Sequence, residues 1–123
     1  MSEVIRSQDI KFIIDIHGAS DVYGFDIDVG TKDGKSVSSR GYDQIVKIFQ
    51  YYGIRDVRQD YKFAARSINS VVTYALDNGI PSVQLEIAKK YRDPDNSPEK
   101  FCYLIQALEA IILDFARNNY WVA

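Results

Sequence analysis

The sequence predicts a single layered α/β domain over residues 1–123, with a mixed β-sheet flanked by helices. Three observations predict it. Apolar residues at strand spacing alternate along the chain with apolar residues at helical spacing, the order that builds a layered domain. The first strand-like run is apolar on both faces except for Lys11 and Asp15, as expected of a central strand covered on two sides. A long stripe of Phe101, Leu104, Ile105, Leu108, Ile111, Ile112 and Phe115 closes the chain, the pattern of a helix laid on a sheet.

The elements follow in order. Residues 10–16 read as the first strand, with His17 closing it and Gly18 opening a turn. Asp15 and His17 are two apart and project to the same side. Residues 25–29 alternate, with Phe25, Ile27 and Val29 on one face and Asp26 and Asp28 on the other. The polar stretch 31–41 reads as a surface loop. A helix is expected over 43–52, carried by Ile45, Ile48, Phe49 and Tyr52 and stopped by Gly53. A short strand follows over 54–58. A second helix over 67–78 has the stripe Ile68, Val71, Val72 and Ala75, with Gly79 and then Pro81 ending it. Residues 82–87 read as the last strand, with Val83, Leu85 and Ile87 opposite Gln84 and Glu86. After a turn at 93–96, Ser97 is placed to cap the final helix, with Pro98 at its first position and Glu99 in its first turn.

Bulk composition narrows the function. With 46% hydrophobic and 26% charged residues, the chain can bury one core. A net charge of −2 and a pI near 5.3 give no broad basic surface for nucleic acid. Lys89, Lys90 and Arg92 cluster, but Asp93, Asp95 and Glu99 follow, the composition of a solvated face. No apolar run approaches the ~20 residues that cross a bilayer, and residues 1–6 carry no secretory signal. The expected location is therefore cytoplasmic. The single cysteine, Cys102, forms no internal disulfide and reads as a packing residue of the last helix.

His17, the only histidine, stands where sheet proteins gather ligands, near the carboxyl end of a strand. It also fits a histidine satisfied by a backbone carbonyl. Glu86, on the polar side of a strand, is either a reactive carboxylate or a surface residue. Asp26 and Asp28 read as the wet side of an amphipathic strand. There is no His-Glu-x-x-His pair, nucleophile elbow or phosphate-binding glycine loop.

The phrases Phe12-Ile13-Ile14-Asp15-Ile16-His17-Gly18-Ala19-Ser20 and Phe25-Asp26-Ile27-Asp28-Val29-Gly30-Thr31, then Ile80-Pro81-Ser82-Val83-Gln84-Leu85-Glu86-Ile87 with Tyr91-Arg92, resemble the N-formylglutamate amidohydrolase family. The resemblance runs over about residues 10–115 and rests on several motifs in order. It implies a partial zinc-carboxypeptidase-like fold, akin to the aspartoacylase-like hydrolases. It implies that His17 is a zinc ligand and that Glu86 is the catalytic general base toward a small N-acyl amino acid. Arg40 and Arg66 become candidates for binding substrate carboxylates, which suit bidentate guanidinium pairing. The family's upstream metal-binding segment has no counterpart in this chain. The expectation is a C-terminal portion that binds zinc weakly and hydrolyses little by itself, because zinc affinity comes from several ligands held together. The alternative is a non-catalytic α/β interaction or oligomerisation module. Either way, an uncovered sheet edge or core face predicts self-association or reliance on a missing N-terminal half.

Overall fold

A computed structural model describes residues 9–119, 121 and 122. It is an α/β fold built on a four-stranded mixed sheet. The elements are β1 (Ile13–Ala19), β2 (Ile27–Gly30), α1 (Ser39–Tyr51), β3 (Val57–Gln59), α2 (Val71–Asp77), β4 (Ser82–Ala88) and α3 (Pro98–Arg117), with short 3₁₀ turns at Asp21–Tyr23 and Lys89–Tyr91. The strand order is β1-β4-β2-β3. β1 runs parallel to β4, β4 antiparallel to β2, and β2 parallel to β3.

The alternation in β2 and β4 decides the layers. Ile27, Val29, Val83, Leu85 and Ile87 share a buried cluster with Ile45 and Phe49 of α1 and Leu104, Ala107 and Ile111 of α3. The alternate residues of β4, Ser82, Gln84 and Glu86, point to the other face and are also buried. α2 packs against β1 and β4.

Several sequence expectations change. The interior strands are β4 and β2, every residue of which is buried. β1 is an edge strand, displaced toward the C-terminus from 10–16 to 13–19. The apolar start of that run leaves the ladder instead: Phe12 packs its ring on Phe115 and Trp121. His17 therefore lies within the strand, and Gly18 continues it. Phe25 leaves the face of Ile27 and Val29 and joins the rings of Tyr23, Tyr61 and Phe63.

Helix boundaries follow their caps. α1 starts at Ser39 because the Ser38 hydroxyl accepts from Gly41 N at 2.9 Å, so the expected surface loop is shorter. Thr31, Ser36 and Val37 within it are buried. α2 starts later than expected because Ser70 is its cap, which leaves Ile68 outside the helix and 84% exposed. α3 has Pro98 at its start as expected, but the Ser97 side chain makes no capping bond. The turn before it is closed by Asp93, whose carboxylate accepts from the Asn96 backbone and side chain.

Candidate functional site

The polar face of the sheet carries the site. Pairing sets His17 of β1 opposite Glu86 of β4, and Glu86 opposite Asp28 of β2. One row across three strands thus reads His17, Glu86, Asp28. His17 Nδ1 lies 3.9 Å from Glu86 Oε1, and His17 Nε2 lies 2.7 Å from Asp15 Oδ2. The imidazole is held between two carboxylates, one at each ring nitrogen.

The two carboxylates differ in surroundings. The Glu86 side chain is 9% exposed and accepts no hydrogen bond from the described residues. Burial pushes its pKa above the ordinary carboxylate value, with Asp28 and Asp15 adding to the rise and His17 and Arg92 opposing it. The hydrogen bond that His17 donates to the Asp15 carboxylate holds its pKa above the usual value, against the opposing effect of burial. An imidazole that binds its proton more firmly than usual, beside a carboxyl group that resists ionisation, is an arrangement suited to moving a proton.

Asp28 is not the wet side of its strand. It is fully buried, and its carboxylate accepts from the backbone N–H of Tyr61 at 3.0 Å, Lys62 at 2.7 Å and Phe63 at 2.9 Å. It pins the loop after β3 across the polar face, which encloses the row on the Asp28 side. Gly30 allows that approach, since a β-carbon there would stand 2.5 Å from the Phe63 carbonyl oxygen. Asp26 is also committed: it accepts from Asp56 N at 3.0 Å and pairs with Lys90 Nζ at 2.9 Å.

Arg92 ties the two site strands together. Its guanidinium donates to the carbonyl of Ile87 at 2.9 Å and of Ala19 at 3.0 Å. A β-carbon on Gly18 would lie 2.6 Å from the Arg92 guanidinium carbon. The His17-Gly18 and Tyr91-Arg92 phrases are therefore one structural device: the glycine leaves room for the arginine that clamps the strand ends. Sequence spacing could not reveal this, because the partners are far apart in the chain. Neighbouring Tyr91 has its pKa pushed up to about 12 by burial and by Asp26.

The candidate arginines part ways. Arg66 belongs to the loop that crosses the polar face, and its guanidinium grips the exposed Asp33 carboxylate at 2.9 and 2.8 Å. Arg40 lies in the first turn of α1, in the layer behind the opposite face. A zinc ion takes about three protein ligands plus water. Among the described residues, no group of three His, Cys, Asp or Glu side chains is arranged to hold a metal. Asp15 and Glu86 flank different nitrogens of His17, so these residues do not fit a zinc centre by themselves. Among the described residues no helix is long and apolar enough to cross a membrane.

Comparison with known proteins finds no matching family model, no matching curated protein and no matching solved structure.

Proposed function

We propose that the chain is the C-terminal part of an amidohydrolase acting on N-acyl amino acids of the N-formylglutamate type, with little activity alone. One observation carries this reading: His17 and Glu86 meet at 3.9 Å on the polar face of the sheet. Glu86 takes a proton from the attacking water as its oxygen bonds to the acyl carbon, and returns it to the amine nitrogen as the C–N bond breaks. One water is consumed, and the acid and the free amino acid are released. His17, oriented by Asp15, faces the same water. Arg66 has the geometry to grip a substrate carboxylate if it exchanges Asp33 for it.

Zinc belongs to this reading through the family resemblance, with a partial zinc-carboxypeptidase-like fold. His17 would supply one ligand, and the others would come from residues outside this site, so binding by the chain alone is weak. We place the chain in the cytoplasm, where an unbridged, exposed Cys102 suits the reducing conditions. The test pairs metal analysis with N-formylglutamate hydrolysis, using this chain and an N-terminally extended version. The expected result is substoichiometric zinc and trace hydrolysis by the chain, strong hydrolysis by the extended version, and loss of hydrolysis in Glu86→Gln. Silence of both versions despite intact folding, or full activity in Glu86→Gln, rules the reading out.

The second reading, a non-catalytic module, is favoured by the outer edge of β1, which no other strand of the described residues covers. There an apolar groove of about 370 Å³ is lined by Phe12, Ile14, Ile112 and Phe115, among others.

A further inference from the structure

We infer that the edge of β1, which no other strand of the described residues covers, pairs antiparallel with β1 of a second copy of this chain, about a twofold axis at Ile16. The argument starts from the backbone. Ile13 N donates to Pro81 O, and β1 is parallel to β4 with Ile13 opposite Ser82. Backbone groups alternate in direction along a strand, so those of Ile13, Asp15, His17 and Ala19 face β4. Those of Ile14, Ile16 and Gly18 face outward, beyond the last strand of the sheet. Such an edge is a template for another strand.

Side chains select both the partner and the register. With Ile16 opposite Ile16 of the second copy, Ile14 pairs with Gly18. All of these residues direct their backbone groups at the partner, so they exchange N–H and C=O bonds. Between them, Asp15 of each copy faces His17 of the other at the close, non-hydrogen-bonded positions, where a carboxylate and an imidazole are complementary cross-strand neighbours. Other registers are worse. Moving the axis to Asp15 sets that aspartate against itself, and moving it to His17 sets the two imidazoles together. An axis at Ile14 puts His17 against Lys11, and an axis at Gly18 puts Asp15 against Asp21. The edge is complementary to itself in one register, as a closed twofold dimer requires.

The apolar surface agrees. Ile16 and Ile112 are each 56% exposed and Ile105 is 46% exposed. Ile14 and Ile112 line one groove, and Ile105 lies two helical turns from Ile112 on the same side of α3. Twofold pairing doubles the four-stranded sheet and lays α3 beside its copy on one face. It sets the two polar rows side by side on the other, with Asp15 of the second copy next to each His17. This pairing does not depend on the hydrolase reading.

Sedimentation equilibrium of the full chain tests it. A concentration-dependent monomer–dimer equilibrium is expected, with slowed hydrogen exchange at the Ile14, Ile16 and Gly18 amides. Ile16→Lys, at an exposed position, puts like charges on the axis and removes two apolar contacts. It should weaken dimerisation by at least about a hundredfold while the circular dichroism spectrum stays unchanged. Register is read separately in a Cys102→Ser background. Ile16→Cys should oxidise to a covalent dimer, because directly opposed residues lie within disulfide reach, whereas Val22→Cys, which is away from the edge, should not. A chain monomeric up to millimolar concentration overturns the inference, including one that pairs only with a different polypeptide. So does a dimer indifferent to Ile16→Lys, or one cross-linked equally well at Val22.

Discussion

Asp28 offers the sharpest test of how the polar face is held. Its buried carboxylate takes three backbone N–H bonds from Tyr61, Lys62 and Phe63. Hydrogen bonds to a charged acceptor contribute roughly 1.5–3 kcal/mol each. Tyr61 and Lys62 are exposed, so their amides regain water once released, and the three contributions do not simply add. Asp28→Ala should therefore cost about 3–5 kcal/mol, a large share of the roughly 5–15 kcal/mol that stabilises a typical domain. Asp28→Asn is more discriminating. Its oxygen can keep the Lys62 and Phe63 donors in the weaker neutral form, but its NH₂ must then confront the Tyr61 N–H. We expect a cost of about 2–3 kcal/mol. Urea denaturation gives both values, and hydrogen exchange at residues 61–63 shows whether the loss is local. If Asp28→Asn denatures within about 0.5 kcal/mol of the parent and the three amides exchange as slowly as before, the carboxylate is not what holds the loop.

Further predictions concern the same row of residues. Glu86 has a raised folded pKa because burial penalises its charge. Its stabilising contribution is thus present with the proton on and is lost as pH rises through the folded value. Glu86→Gln should consequently melt at a higher temperature than the parent at pH 8, and the gap should close as pH falls below the unfolded value of 4.5; calorimetry across pH decides it. His17 is raised by its bond to Asp15. The stability it contributes is complete below pH 6.5 and disappears as pH climbs through the higher folded value. Asp15→Asn should flatten that slope in thermal melts and move the imidazole titration, followed by NMR, toward lower pH. Gly30→Ala should destabilise by about 1–3 kcal/mol, since the obstructing atom is a backbone carbonyl oxygen 2.5 Å away; unchanged urea stability would show that the loop yields freely.

The legible parts of the sequence were those set by local periodicity. Leu104 and Ile111 of the α3 stripe, Ile45 and Phe49 of α1, and the alternating Val83, Leu85 and Ile87 of β4 occupy the core, whereas Ile105 and Ile112 of the same stripe are exposed. Boundaries were less legible at α1 and α2, where Ser38 and Ser70 cap with their hydroxyls; Ser97 holds the expected cap position of α3 but makes no side-chain capping bond. The apolar run at 10–16 looked like a buried central strand because hydrophobicity does not say which neighbour supplies the burial. Phe12 finds its cover in Phe115 and Trp121, and Ile16 remains open to solvent.

The sequence by itself determined the α/β class, the main core residues, and a lone imidazole and a strand carboxylate as the reactive candidates, because each follows from residue chemistry and spacing within a few positions. Only the tertiary structure decided that β4 and β2 are interior, that Glu86 is buried between His17 and Asp28, and that Arg92 clamps the strand ends across Gly18. Those facts depend on strand order and register. They are fixed by contacts between segments tens of residues apart, which no local pattern encodes.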